Sequence, residues 1–365
     1  MNILYVITGL GGGGAEKVVA DLADEMSTLG HQVKIAYLKG EVVIRPKNKE
    51  IELIYLGLEK ISNLRIAFKN YKKLLFSFKP DIVHSHMVHA NIFARISRKF
   101  LPIPRLVCSA HSSNEGGRLR MLLYKFTHSL SDVLTNVSQN ASYNFERLGV
   151  APKGKITTVY NGIDLVKFDK NNINLQLKYE LGISDRTPIF LAVGRFHEAK
   201  DYPNLLHSFS IFKETSVFRE KKPKLLIAGD GVGRLEIEQL ILDLKLELEV
   251  LLLGRREDIS ALLNIADFFV LSSKYEGLPT VVIEAMACET YVIATDCGGS
   301  AEIMGDTGKL VPIQNSNVLA QALEDVSKLD MNTIHLNNLQ ARKRVENLFS
   351  LDSSVQNWLK IYESI

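Results

Sequence analysis

The sequence predicts an α/β protein of two doubly wound, Rossmann-like domains facing an inter-domain cleft. Three observations predict it. Short apolar, β-rich runs alternate with stretches of helical spacing, the rhythm of parallel sheets with helices on both faces. That rhythm breaks near 160–175 and then restarts. Glycine-bearing loops follow the runs at their carboxyl ends, where ligands of such sheets bind. A length of 365 residues suits two domains at about 150 residues each.

In the first domain, taken as 1–168, Ile3–Thr8 reads as a strand and is followed by Gly9 and Gly11–Gly14. Ala15–Leu29 has helical spacing (Val18, Val19, Leu22, Met26, Leu29) and stops at Gly30, a C′ residue. Val33–Leu38, Asp81–His86 and Arg105–Ser109 read as strands. Ile61–Phe78 reads as an amphipathic helix with the stripe Ile61, Leu64, Phe68, Tyr71, Leu75 and Phe78, and Arg65, Lys69, Lys72 and Lys73 beside it.

After a polar, weakly patterned stretch at Asn171–Asn174, the second domain is taken as 169–349. Its strands are predicted at Pro188–Val193, Lys224–Ala228, Val250–Leu253, Phe268–Leu271 and Tyr291–Thr295. Its helices are predicted at Asp201–Glu214, Leu235–Leu244, Ile259–Asn264 and Thr280–Cys288. Two helical stretches close the chain, Ser316–Lys328 and Ser350–Ile365.

Composition excludes other classes. Hydrophobic residues at 46% and charged residues at 23% are ordinary for a globular protein, not for a disordered, collagenous or coiled-coil chain. Cys108, Cys288 and Cys297 are too few for a disulfide scaffold and lack metal-ligand spacing, which favours reduced thiols in the cytoplasm. Met1–Leu10 lacks the features of a signal peptide, and no window reaches the roughly 18–20 apolar residues needed to span a bilayer.

The net charge of +3 is unevenly spread. Residues 1–165 carry 22 basic and 13 acidic side chains, +9, and the remainder −6. Within 55–127 the balance is 13 to 3, +10, a field that attracts phosphate, anionic lipid or nucleic acid. Nucleic acid is the weakest of these, because the aromatic residues there are spaced as core and not as a stacking platform.

Four motifs carry the chemistry. Gly9-x-Gly11-x-x-Gly14, between a strand and a helix, fits the dinucleotide fingerprint in form, yet Lys39-Gly40 stands where that fingerprint wants an acid. The loop is a substrate- or anion-facing loop or a plain turn. Gly194-Arg195 and Lys200 form either a diphosphate clamp or a solvated loop bridged to Glu198 or Asp201. Glu276-Gly277-Leu278-Pro279-Thr280 opens a helix that carries Glu284 about one turn in. The helix N-terminus suits an anion or sugar hydroxyls, and Glu284 can accept from a diol. The competing reading has Glu276 capping the helix and Glu284 exposed. Gly229-Asp230-Gly231-x-Gly233, Gly254-Arg255 and Gly298-Gly299 lie on the same rim. Among the histidines, His84 is expected to point into the sheet, and His111 is favoured over His86 as a group facing the cleft. The sequence has no Walker A loop, no Asp-x-Asp, no zinc cluster and no Gly-x-Ser-x-Gly elbow.

Together these residues resemble the retaining glycosyltransferase family 4, of GT-B architecture. The resemblance runs along nearly the whole chain. It rests on Gly11–Glu16, Asp81–His86, Tyr160–Asp164, Val193-Gly194-Arg195…Lys200, Ala228–Gly231, Ser273–Pro279 and Glu284-Ala285, with Glu276 and Glu284 in the family's E-x7-E pattern.

The resemblance implies that Arg195, Lys200, Glu276 and His111 are catalytic. Arg195 and Lys200 would hold the donor diphosphate, Glu284 the ribose, and Glu276 with the Gly277–Thr280 backbone the sugar and phosphate. Arg255 would lie near the base, His111 beside the reacting sugar, and Gly194 and Gly231 in the pocket wall. Gly12, Gly13 and Gly14 would line the cleft on the acceptor side. The last helix would cross back onto the first domain. Asp201 departs from the pattern, since glycine often follows the motif lysine.

The implied reaction moves a sugar, with retention, from a nucleotide-diphosphate sugar to a glycan or lipid-pyrophosphate-linked acceptor. UDP-GalNAc, UDP-GlcNAc or a UDP-hexose is the expected donor, with no metal and no cofactor. Bacterial O-antigen, capsule or lipopolysaccharide synthesis is the expected setting, in the cytoplasm or on the inner face of the plasma membrane. A nucleotide-sugar epimerase on a similar fold, an NAD-dependent oxidoreductase and an anion-binding non-enzyme are the competing classes. An epimerase converts donor with no acceptor present, and an oxidoreductase binds NAD.

Overall fold

The computed structural model describes residues 1–112, 117–171 and 176–365. They form two compact units, Met1–Gly162 with Leu351–Ile365, and Ile163–Ser350. The division falls ahead of 168. The Ile163 N–H donates to the Phe349 carbonyl (2.9 Å), and Arg342 donates to the Phe168 carbonyl (2.7 Å), which ties 163–168 to the second unit.

The first unit holds strands β1 (Asn2–Ile7), β2 (Gln32–Tyr37), β3 (Glu52–Tyr55), β4 (Ile82–His86), β5 (Leu106–Ala110), β6 (Val133–Asn136) and β7 (Ile156–Thr158). They make a parallel sheet in the order β3-β2-β1-β4-β5-β6-β7. Its helices are α1 (Gly14–Thr28), α2 (Leu64–Phe78), α3 (Val88–Ser97), α4 (Arg118–Thr127) and α5 (Gln139–Arg147). The second unit starts with α6 (Gln176–Glu180). Its sheet runs β10-β9-β8-β11-β12-β13, from β8 (Ile189–Val193), β9 (Lys224–Ala228), β10 (Val250–Gly254), β11 (Phe268–Leu271), β12 (Tyr291–Thr295) and β13 (Lys309–Val311). The remaining helices are α7 (Tyr202–Lys213), α8 (Ser216–Lys221), α9 (Arg234–Asp243), α10 (Ile259–Ile265), α11 (Thr280–Ala287), α12 (Ser300–Met304), α13 (Ser316–Ser327), α14 (Met331–Leu348) and α15 (Leu351–Ser364).

Strand alternation builds two cores around the first sheet. Leu4 and Val6 join the core under α2, α3 and α4, while Ile3, Tyr5 and Ile7 join the one shared with α1 and α15. Burial on both faces is why these strands read as continuous apolar runs. The last helix groups with the first unit. Trp358, the single tryptophan, lies 4.4 Å from the His84 ring, and the Tyr362 hydroxyl sits 2.6 Å from His84 Nδ1.

Several elements differ from the expectation. The helix expected from Ile61 begins at Leu64, behind a 3-10 turn at Ile61–Asn63. Its buried side is Ala67, Tyr71, Leu74 and Leu75, so Ile61 and Leu64 project into solvent instead of continuing the stripe. A third helix, α14, stands between the two expected at the C-terminus. It buries only Asn338, Ala341 and Val345 and has no apolar stripe to announce it. Arginine anchors it instead: Arg342 donates to the Phe168 and Ala287 carbonyls, and Arg344 to those of Ile303 and Glu302. Of the polar stretch Asn171–Asn174, residues 172–174 lie outside the described residues. The three cysteines are buried and free. Among the described residues no helix is long and apolar enough to cross a membrane.

Candidate active site

In the second unit β8 and β11 are neighbours, while β9 and β10 extend to one side and β12 and β13 to the other. The strand order reverses between β8 and β11, and this switch point is where an open α/β sheet leaves a crevice beyond its strand ends. The loop Gly194–Lys200 leaves β8 and the loop Ser272–Pro279 leaves β11, so both border that point. The Lys274 N–H donates to the Ala199 carbonyl (2.8 Å), and Ser272 Oγ donates to the Lys200 carbonyl (2.8 Å), which lashes the two loops together.

The two charged motifs meet there. Lys200 Nζ lies 2.6 Å from Glu276 Oε1, and Ser273 Oγ donates to the same oxygen at 2.8 Å. Glu276 therefore pairs with Lys200 and does not cap the helix, whose N-cap is Pro279. Nor does Lys200 pair with Glu198 or Asp201. Those two face Lys274, at 3.7 and 4.0 Å. Glu276 Oε2 has no partner among the described residues and is left for a further donor. Arg195 is exposed and likewise without a partner among them. Ser273, which pins Glu276, stands in the Ser273–Pro279 motif, but the sequence assigned it no role. Its only signal is a serine three residues before the glutamate.

Glycines permit this crowding. Lys200 lies across Gly194, where a Cβ would stand 3.0 Å from its Cε. A Cβ on Gly229 would stand 1.9 Å from the Gly194 carbonyl oxygen, and one on Gly231 2.6 Å from that of Phe196. The loops after β8 and β9 can therefore touch backbone to backbone. Gly298, after β12, has φ +54 and packs on the Glu276 carbonyl. The Gly299 N–H donates to the Gly277 carbonyl (3.1 Å). Leu278 and Pro279 are buried at the start of α11, Thr280 is its first residue, and of its first N–H groups that of Val282 donates to the Pro279 carbonyl (3.0 Å), while those of Thr280 and Val281 have no partner within the helix. Glu284 is half-buried on α11 among the buried Val281, Val282, Ile283 and Met286. Arg255 is exposed just after β10, the edge strand next to β9. Asp201 has φ +47, the left-handed region where glycine is at ease, which accounts physically for the glycine expected there.

The remaining candidates lie in the first unit. Gly13 is the N-cap of α1 and Gly14 its first residue, while Gly12 is exposed. The Glu16 carboxylate folds back over this loop, so close that a Cβ on Gly13 would stand 2.4 Å from its Oε2. A carboxylate over that helix N-terminus disfavours phosphate there and leaves the loop better suited to hydroxyls. His111 follows β5, and its Nε2 lies 3.0 Å from His86 Nδ1. The fully buried His86 ring lies 3.9 Å from that of His84 and tilted 36° to it, and His84 Nε2 contacts Ser109 Oγ at 2.7 Å. His86 Nε2 is buried without a partner. An unpaired N–H there costs more than an unpaired lone pair, so the proton belongs on Nδ1, donated to His111.

Burial pushes the His111 imidazole down to about 4 and holds His84 and His86 well below the ordinary histidine range. The folded protein keeps these three rings neutral where the unfolded chain binds protons, so stability is complete above about pH 6.5 and falls below it. The expected loss is about 1.4 kcal/mol per ring per pH unit. The carboxyls of Asp201 and Asp267, raised by burial, pull the other way at lower pH. Urea unfolding followed by Trp358 fluorescence should show the midpoint dropping from pH 7 to pH 5. A flat midpoint would contradict neutral buried rings.

The family model described as Glycosyltransferase Family 4 matches residues 12–167, and that described as Glycosyl transferases group 1 matches 175–345. The chain belongs to the family 4 glycosyltransferases. One relative is the Campylobacter jejuni N-acetylgalactosamine-N,N'-diacetylbacillosaminyl-diphospho-undecaprenol 4-alpha-N-acetylgalactosaminyltransferase, 29% identical over 89% of each chain. Another is the Bacillus anthracis N-acetyl-alpha-D-glucosaminyl L-malate synthase, 32% identical over 67% of this chain. That alignment spans 62% of the Bacillus enzyme, less than two thirds of its length. Among solved structures, Anabaena HepE in complex with UDP-glucose superimposes with a TM-score of 0.84 over 100% of both chains at 18% identity, a likeness of fold. This glycosyltransferase thus has the two-sheet GT-B architecture expected of it. Among its described residues no cluster of three or more His, Cys, Asp or Glu could hold a metal ion.

Proposed function

We propose that this glycosyltransferase moves a sugar, with retention of anomeric configuration, from a UDP-sugar to a hydroxyl of a lipid-linked glycan in bacterial surface-polysaccharide synthesis. The observation that carries the donor half is the Lys200–Glu276 pair at the switch point of the second sheet, on whose β8 loop the exposed Arg195 also lies. The diphosphate lies on Arg195, Lys200 and the N-terminus of α11. Lys200, held by Glu276 before donor arrives, costs little to orient. Glu276 Oε2 and the Gly277–Thr280 backbone take the sugar, Glu284 takes the ribose hydroxyls, Arg255 lies toward the base, and Gly194 and Gly231 form the wall. UDP-glucose in HepE and a diphospho-undecaprenol acceptor in the Campylobacter enzyme support the two substrate classes.

In the reaction the bond from the anomeric carbon to the phosphate oxygen breaks and UDP departs with the electron pair. The acceptor hydroxyl attacks the same face of an oxocarbenium-like sugar, and its proton passes to the departing phosphate oxygen. Charge on the diphosphate is balanced by the two cations and the helix, so turnover is expected without added metal and unchanged by EDTA. The first unit binds acceptor through Gly12–Gly14, with His111 a hydrogen-bonding group for substrate. The setting is the inner face of the plasma membrane, where such acceptors are built.

The test is incubation with a panel of UDP-, GDP- and ADP-sugars and undecaprenyl-diphosphate glycans, with NMR of the product. An α-linked product from an α-linked UDP-sugar supports the reading. An inverted product contradicts retention, and isomerised donor without acceptor favours the epimerase. Gly298→Ala supplies a structural check. Its φ of +54 and a Cβ 2.2 Å from the Glu276 carbonyl oxygen would displace the loop. Strain of about 1–3 kcal/mol raises the UDP-sugar Kd about five- to 150-fold. Calorimetry showing unchanged affinity would contradict the packing argument.

A further inference from the structure

A groove of about 650 Å³ lies among α2, α3 and α4, on the first unit. Its walls are almost wholly apolar. Ile61 and Leu64 stand at the start of α2, Phe100 just past α3, and Leu119 and Leu123 on α4. Ile61 is 83% exposed, Phe100 72% and Leu119 71%, far more than a core-facing position tolerates. Apolar side chains gathered in one patch, as opposed to scattered singly, mark an interaction surface. The polar side chains at this groove include Arg65 and Arg120, both exposed. Lys69, Lys72 and Lys73 continue the positive charge along α2, and none of the three helices contains Asp or Glu.

We propose that this face docks on an anionic lipid bilayer, with the apolar side chains of the groove among the lipid chains and Arg65 and Arg120 against the headgroup phosphates. The pairing of apolar side chains with two arginines and no carboxylate fits that partner. An interfacial element buries its apolar face at the headgroup–chain boundary, and each nearby cation adds about 1 kcal/mol of attraction to an anionic leaflet. A second copy of the chain fits poorly, because a two-fold contact would set Arg65 and Arg120 against a like-charged face. The inference deepens the reading above, on which it rests for a membrane-bound acceptor. Vesicle binding needs no donor or acceptor, so it fails or succeeds separately from catalysis.

The experiment is flotation of the full chain with phosphatidylcholine vesicles, with and without phosphatidylglycerol. The expected result is binding to the anionic vesicles only, weakened by salt. Arg65→Gln/Arg120→Gln should lower it about thirtyfold, the value of two cations. Ile61→Glu/Phe100→Glu/Leu119→Glu should abolish it. All of these positions are exposed, so both variants should melt as the wild type does. If either variant misfolds, Ile61→Ser/Leu119→Ser serves, with a smaller loss expected. No binding to anionic vesicles, binding untouched by variants that fold, or a dimer in sedimentation that the same variants dissociate would each overturn the proposal.

Discussion

Replacing Arg195 or Lys200 with alanine should lower kcat about a hundredfold or more, the usual cost of removing a preorganised charge stabiliser from a site where negative charge develops. The two should differ in kind. Arg195 is exposed and has no partner among the described residues, so on the proposed reading its loss removes only an interaction with substrate. Lys200 is paired at 2.6 Å with Glu276. Lys200→Ala therefore also leaves a half-buried carboxylate beside the incoming diphosphate, and a like charge there raises KM for the donor as well as lowering kcat. Glu276→Gln in the Lys200→Ala background should restore part of the donor affinity. Steady-state kinetics of the single and double variants measure this coupling. Near-wild-type turnover in both single variants would remove the pair from the mechanism.

The second large effect is on stability. Trp358→Ala should destabilise the first unit by about 3–5 kcal/mol, as truncation of a large buried aromatic does. Trp358 is 5% exposed, packs on the His84 ring and belongs to the core shared by α1, β1 and α15. Tyr362→Phe should cost less, about 1–3 kcal/mol, because it strips a buried partner from His84 Nδ1 while preserving the shape of the ring. Chemical denaturation followed by circular dichroism distinguishes the two. If deletion of 351–365 left the first unit equally stable, α15 would be an appendage and not part of its core.

Much of this was legible in the sequence, for a physical reason. Central parallel strands such as Ile189–Val193 and Phe268–Leu271 are buried on both faces and read as unbroken apolar runs. The loops that leave them carry glycines because backbones meet there. What escaped notice lacks such a pattern. The helix α14 is held by Arg342 and Arg344 bonding to carbonyls of other segments, and no periodicity encodes that. Ile61 and Leu64 carry the spacing of a core stripe yet are exposed, since spacing tells which residues share a face and not what covers it. At the site, the E-x7-E spacing marked Glu276 and Glu284, but the Lys200–Glu276 pair joins residues far apart in sequence. Only the adjacency of β8 and β11 brings them within reach of each other. The histidines show the same limit. Their positions at strand ends were visible, whereas the chain of contacts from Tyr362 through His84 and His86 to His111 required the fold.

The central claim is that the second unit grips a nucleotide diphosphate at the switch point of its sheet. A crystal structure of the protein soaked with a UDP-sugar tests it most directly. The account predicts diphosphate oxygens within hydrogen-bonding distance of the Arg195 guanidinium and Lys200 Nζ, and ribose hydroxyls on the Glu284 carboxylate. Nucleotide seated on the Gly9–Gly14 loop of the first unit, or bound with Lys200 and Glu284 turned away from it, would contradict it.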